Sequence, residues 1–329
     1  VEECEKSLLV GKFFVECQRR PKQPATVSLE ALVPDLSLKE FEKHKIDYEE
    51  IEREERKLAE GAYGLLYRGK WRGETVAVKV LRTDEVMLAE RVAIFQEFRK
   101  EVSIMTELKH PNLVELKGYC FTENVVAMVM EFMECGDLYS LIQDKGRSYP
   151  AATSLKLSYD IAMGLHFLHN LTPPVVHRDL KPPNILLSGV KDGNFENAIA
   201  KVCDFGLSTR QYLHKLKERA VETPMWVAPE ILAGGQYSTA SDVYSYGIIV
   251  YELFLRKTPF EELDFRFLNQ LEEQIIAGAR PDLSLLRQSL PEVACLIEDC
   301  WQPEPEKRPT FSDVVERLMT IVAAREPAL

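Results

Sequence analysis

The spacing of apolar side chains changes character along the chain. In residues 1 to 47, short apolar alternations surround Leu8-Leu9-Val10 and Phe13-Phe14-Val15, prolines follow at Pro21, Pro24 and Pro34, and a charged stretch ends at His44-Lys45. This predicts a strand or two and a linker, with no chemistry of its own. From Tyr48 to Val80 the pattern is that of β-structure. A glycine-bearing Glu60-Gly61-Ala62-Tyr63-Gly64 leads into Leu65-Leu66-Tyr67-Arg68, and Trp71-Arg72-Gly73 closes a hairpin onto Glu74-Thr75-Val76-Ala77-Val78-Lys79-Val80. Threes and fours then take over from Asp84 to Leu108, where Phe95, Phe98, Val102 and Met105 form one helical stripe with Glu101 at its edge. Two more strands are predicted at Leu113 to Tyr119 and Val125 to Phe132, and Gly136-Asp137 opens a mostly helical stretch that lasts to the end. Strands first and helices later predict an α+β fold divided near residue 133.

Composition narrows the partners more than the fold. At 329 residues, 46% hydrophobic and 28% charged, the chain suffices for one two-lobed domain or two ordinary ones. A formal net charge of −11 argues against general affinity for nucleic acid or an anionic membrane, although an acidic protein can keep a local basic cleft. The seven cysteines are widely spaced and include no C-x-x-C pair, which predicts a reduced, cytoplasmic chain without structural zinc. The longest apolar run, Gly247 to Leu255, is too short to span a bilayer, so no integral membrane segment is expected. The absence of an initial Met suggests a piece of a longer protein.

Candidate chemistry begins in His177-Arg178-Asp179-Leu180-Lys181-Pro182-Pro183-Asn184, followed by Asp204-Phe205-Gly206. Two separate carboxylates and an amide stand there where a metal-bound nucleoside triphosphate would need them. An Asp in a loop is ordinarily a turn or cap residue, but that does not explain Asp179, Lys181, Asn184 and Asp204 together. Upstream, Gly61 and Gly64 would let backbone N–H groups approach phosphates, with Ala59 where a first glycine is usual. Lys79 ends a half-buried strand pattern, and Glu101 beside an apolar stripe is costly unless partnered. These two residues are therefore expected to pair.

Residues 48 to about 325 carry these landmarks in order and resemble the eukaryotic protein-kinase domain. The resemblance implies a bilobal fold, a β-rich N-lobe at 48–133 and a helical C-lobe at 134–329, with the site between them and ATP and Mg²⁺ as cofactors. It assigns Asp179 as the group that accepts the proton of the attacking hydroxyl, Lys181 as a neutraliser of charge in flight, and Asn184 and Asp204 as magnesium ligands. Lys79, held by Glu101, would position the α- and β-phosphates. Met130 falls at the gatekeeper, Glu131 and Met133 at the adenine hinge, and Asp137 near the ribose, while Leu66, Ala77 and Leu186 would sandwich the base. Met105, Leu116, His177 and Phe205 would stack as a regulatory spine.

Lys181 and Thr223 look like the serine/threonine class, and Cys300-Trp301 with Lys307-Arg308-Pro309-Thr310-Phe311 is similar to the tyrosine-kinase-like group. Glu222 stands where a glycine often precedes the Thr. Thr223-Pro224-Met225-Trp226-Val227-Ala228-Pro229-Glu230 would close an activation segment, with Arg308 as partner of Glu230. Ser208, Thr209 and Tyr212 are expected as exposed hydroxyls within that segment, facing phosphorylation and a pairing with Arg178. An insert, Ser188 to Ala198, with an Asp192-Gly193 turn, is similar to that of Roco and leucine-rich-repeat kinases. Val27 to Leu36 within the extension 1–47 resembles the end of their COR region. A serine/threonine kinase acting on protein substrates, joined upstream to a GTPase and COR region, is thus expected. The competing functions are a nucleotide-binding scaffold and a tyrosine-directed kinase.

Overall fold

A computed structural model of the chain describes residues 6–9, 12–15, 25–28, 38–60, 64–82, 88–122, 125–206, 208–210 and 223–325. The chain divides into two compact units, Val1–Lys109 with Val114–Phe132, and His110–Leu113 with Met133–Leu329.

In the first unit, β1 (Lys6–Leu9), β2 (Lys12–Val15) and β3 (Ala25–Ser28) form an antiparallel meander. A second sheet holds β4 (Ile51–Glu60), β5 (Gly64–Trp71), β6 (Glu74–Leu81), β7 (Leu116–Phe121) and β8 (Val126–Glu131) in the order β4-β5-β6-β8-β7, antiparallel throughout. The β5–β6 turn has positive φ at both Arg72 and Gly73, the geometry that matches the twist of a two-residue hairpin. Side chains alternate between faces of this sheet. One face carries Val76, Val78, Cys120, Ala127 and Val129 into a core with Ile46 and Ile51.

The stripe predicted for the helix is real. Helix α1 (Leu88–Met105) buries Phe95, Phe98, Val102 and Met105, and Phe95 and Phe98 meet the rings of Phe121 and Tyr119 on β7 at 5.7 and 6.2 Å. The helix is shorter than the Asp84 to Leu108 expected: it closes in turns at Thr106 to Leu108, and residues 83–87 lie outside the described ones.

The second unit is built on helices: α2 (Leu138–Gln143), α3 (Ala151–His169), α4 (Pro229–Leu232), α5 (Thr239–Leu255), α6 (Leu268–Ile276), α7 (Ser284–Ser289), α8 (Pro291–Cys300) and α9 (Phe311–Ala323). Helix α5 is buried from Ser241 to Leu253, so it is apolar on nearly every side and packs as a central element. Among the helices lie short antiparallel pairs: β9 (Val175–Val176) with β12 (Thr209–Arg210), which periodicity did not predict, and β10 (Ile185–Ser188) with β11 (Ile199–Val202), the arms of the hairpin expected at Asp192-Gly193.

The insert is the connection between β10 and β11. Its tip is the expected Asp192-Gly193 turn, with φ of 49° and 76° and with Lys191 and Asn194 exchanging backbone hydrogen bonds of 3.2 and 2.7 Å. Its base is tied down: Gly189 N–H donates to the Glu134 carboxylate at 2.8 Å, and buried Phe195 meets the Tyr149 ring at 5.6 Å. Among the described residues, no helix is long and apolar enough to cross a membrane.

Candidate active site

Lys79 and Glu101 come from neighbouring elements of the first unit. The Lys79 ammonium donates to both carboxylate oxygens of Glu101, at 3.1 and 3.2 Å. Glu101 is 5% exposed, and burial of a carboxylate at that depth requires a partner of this kind. The sheet register places Leu66 opposite Lys79, Arg68 opposite Ala77, and Ala77 opposite Met130. Leu66, Ala77, Lys79 and Met130 therefore share the face that looks away from the Val76 and Val78 core. Met105 and Leu116 are buried in the same unit.

Other predicted positions in this unit are engaged differently. Glu131 lies on the opposite face from Met130, and its carboxylate accepts the Glu115 N–H at 2.8 Å. Gly64 has a local reason to be glycine, because a Cβ there would come within 2.7 Å of the Val80 carbonyl oxygen. Ala59 is exposed on β4 and pairs with Leu66, whereas Gly61 lies outside the described residues.

In the second unit the loop after β9 converges on Asp179. The Lys181 ammonium lies 3.1 and 2.9 Å from its two carboxylate oxygens. The Asn184 amide nitrogen donates to the Asp179 carbonyl at 2.8 Å and to its carboxylate at 3.0 Å. With its NH₂ so committed, Asn184 turns its amide oxygen away from Asp179. Cys203 N–H donates to the Asn184 carbonyl at 3.0 Å, and the β10–β11 ladder runs on from there, so Asp204 is one residue beyond the pairing that carries Asn184. Asp204 is exposed and holds φ at 63°, a left-handed conformation uncommon outside glycine and tolerated best by Asp and Asn.

His177 locks the loop to this turn. Its Nδ1 accepts the Asp179 N–H at 3.3 Å and its Nε2 lies 3.0 Å from the Cys203 carbonyl, so the network selects the neutral tautomer protonated on Nε2. The Phe205 ring, fully buried, sits 5.5 Å from the His177 ring. Met133 is buried, Leu186 is half-buried on β10, and the Asp137 carboxylate caps α2 by accepting the Ser140 N–H at 2.7 Å.

Sequence reasoning missed Asp242. At 1% exposure on α5 it accepts the N–H groups of His177 and Arg178 at 2.8 and 3.0 Å and lies 2.9 Å from His169 Nε2. It thereby supports Arg178 at φ 74°, where the backbone reverses just before Asp179. A signal was available: a carboxylate inside an apolar helical run must find partners, the argument that had singled out Glu101. Glu134 was missed as well, for its partner is a backbone N–H in the insert.

One expectation is overturned. Ser208 is not an exposed hydroxyl: it is fully buried, and its Oγ donates to the His177 carbonyl at 3.3 Å. It pairs with the loop two residues before Asp179 because Phe205, buried against His177, draws the following turn inward. Tyr212, Glu222 and the Thr209 side chain lie outside what the structure describes. Arg178 stacks its guanidinium 4.5 Å over the Tyr237 ring. The Glu230–Arg308 pair is present and bidentate at 2.8 and 2.7 Å, with the Arg308 side chain completely buried.

Comparison with known proteins places the chain in a class. Residues 53–318 match the family model for protein tyrosine and serine/threonine kinases, and the chain belongs to that family. Several of the proteins it is similar to are named as Roco kinases. It is 36% identical to cyclic GMP-binding protein C of Dictyostelium discoideum over 97% of this chain and 13% of that protein. It is 43% identical to the probable serine/threonine-protein kinase roco6 of the same organism over 84% of this chain and 13% of that one. Outside that group, it is 36% identical to the serine/threonine-protein kinase CTR1 of Arabidopsis thaliana over 82% of this chain and 32% of that protein. The chain thus spans about an eighth of the length of the Roco relatives and a third of CTR1. It is a protein-kinase domain with the α+β fold of that class. Kinases of this family act on protein substrates and use ATP with a divalent metal, generally Mg²⁺.

Proposed function

We propose that this domain transfers the γ-phosphoryl of ATP to serine or threonine hydroxyls of a protein substrate, with Asp179 as the proton acceptor. The observation that carries this is the convergence on Asp179: a cation on its carboxylate, an amide that fixes its orientation, and a backbone locked by His177. A group held this way is preorganised, so little reorganisation is needed when a hydroxyl arrives.

The donor set fits a magnesium ion. Asn184 offers an amide oxygen and Asp204 an exposed carboxylate, both hard oxygen ligands, and among the described residues no cluster of three or more His, Cys, Asp or Glu forms a denser metal site. When bound, the metal would neutralise charge on the triphosphate. Lys181 offsets negative charge beside the acceptor hydroxyl. Lys79, kept extended by Glu101, holds the α- and β-phosphates. In the first unit Leu66, Ala77 and Met130 are assigned to the base and the Glu131 backbone to its hydrogen bonds; in the second unit Leu186 is assigned to the base, the Met133 backbone to its hydrogen bonds and Asp137 to the ribose, all by the family resemblance. Ala59, Gly61 and Gly64 we assign, from their order in the sequence, to the phosphate loop.

Residues 1–47 we read as an extension that resembles the end of a COR region, followed by an N-lobe at 48–133 and a C-lobe at 134–329. The relatives' greater length supports a parent protein with a GTPase and COR region upstream, and the cysteine pattern supports a cytoplasmic setting.

The test is transfer of labelled γ-phosphate from Mg·ATP to a mixed Ser, Thr and Tyr peptide library, run beside Asp179→Asn. Label on Ser or Thr should fall by about 10²-fold or more in the variant while ATP binding persists. Equal turnover in the two proteins would remove Asp179 from its role. Label on Tyr would reassign the substrate, and binding of Mg·ATP without transfer by either protein would favour a scaffold.

A further inference from the structure

The segment just before the five-stranded sheet is fastened to β7 at both ends. Leu38 and Ile46 are each 5% exposed. The Tyr119 hydroxyl donates to the Leu38 carbonyl at 3.3 Å, and the Ile46 N–H donates to the Tyr119 carbonyl at 2.8 Å. The approach is close enough to dictate a glycine: a Cβ on Gly118 would lie 2.4 Å from the His44 carbonyl oxygen. Between these anchors Glu40 pairs with Arg99 at 2.5 Å, and the Arg99 guanidinium sits 5.9 Å from the Phe41 ring.

Arg99 is on α1, two residues before Glu101. At 3.6 residues per turn, two positions apart means nearly opposite sides of a helix. The helix is therefore held on one side by Glu40 and Phe41 while its other side presents Glu101 to Lys79. Tyr119 touches both parts, since its ring also meets Phe98 of α1.

We propose that residues 38–46 brace α1 in the orientation that brings Glu101 onto Lys79, so that displacement of this segment weakens phosphate positioning. The proposal rests on the role given to Lys79 and Glu101 above. It makes Glu40, Phe41 and Arg99 positioning residues.

The test uses the full 329-residue chain and measures kcat and the KM for ATP separately. An exposed ion pair has a modest worth, so Glu40→Arg, which sets two cations together, should raise the KM for ATP by about three- to tenfold. The double variant E40R/R99E restores the attraction and should return the KM to within about twofold of the starting protein. Phe41→Ala should move the KM in the same direction. A merely structural role would lower the active fraction, and hence kcat, and leave the KM for ATP in place. Lys79→Met is run alongside. If it is inactive and Glu40→Arg and Phe41→Ala leave the KM unchanged, or the swap gives no rescue, the brace is overturned. If Lys79→Met keeps full activity, the assignment of Lys79 is what fails.

Discussion

Two buried carboxylates on α5 solve the same problem in opposite ways. Asp242 stays surrounded by donors, two backbone N–H groups and a His nitrogen, and so serves as a fixed anchor for the loop that carries Asp179. Glu252, 1% exposed, has a single donor in the Trp226 indole N–H at 2.6 Å. Burial therefore wins, and its carboxyl is pushed up from 4.5 to about 8 even though the Trp226 bond opposes the shift. An acid with a raised pKa binds its proton in the folded state while the unfolded chain has released it, so stability falls as pH rises through that window. The loss should begin near pH 4.5 and be complete above pH 8, and it is on the order of 5 kcal/mol. Glu252→Gln keeps an acceptor for Trp226 without the titration. Denaturant unfolding between about pH 5 and about pH 9 should show this variant with a flatter profile and greater stability at the alkaline end. Parallel profiles would mean that Glu252 is ionised when folded.

Elements long enough to show a period were legible, and those held by a few backbone bonds were not. The α1 stripe and the β5–β6 hairpin followed from threes, fours and twos because each buries one face against a neighbour. The β9 and β12 strands have two residues each, too few for any alternation to register. Asp179, Lys181, Asn184 and Asp204 were recognised from their types and order; Asp242 showed only a need for partners, and which ones was not legible because they are backbone groups about 65 positions away. The insert hairpin lay between these cases: its Asp192-Gly193 tip was legible, its Gly189 anchor was not. The two glycines make a test. Both have φ near 75°, yet a Cβ on Gly193 meets nothing within 4 Å, whereas one on Gly189 would lie 2.1 Å from the Asn197 carbonyl oxygen. Gly193→Ala should then cost about 1 kcal/mol from backbone strain alone. Gly189→Ala adds a backbone clash and should cost about 3 kcal/mol or more. Thermal melts of the two variants read the difference directly, and equal losses would show that the base of the hairpin is not closed as described.

Across the whole molecule the question is whether burial alone holds it together. The apolar residues occupy a core under the sheet in the first unit and around α5 in the second, and the fully buried Arg308 paired with Glu230 adds a charge-assisted link that would be costly to break. Cys120 and Cys300 contribute to these cores as small apolar side chains. The five in the described residues are free, and burial pushes the thiols of Cys120 and Cys300 up to about 12, where they carry no thiolate at neutral pH and do not exchange or oxidise readily. Among the described residues the fold owes nothing to a cross-link, whose loss ordinarily costs about 2–5 kcal/mol. The melting temperature with and without a strong reductant should accordingly agree within about 2 °C, whereas a fall of several degrees on reduction would reveal a disulfide that helps to hold the chain.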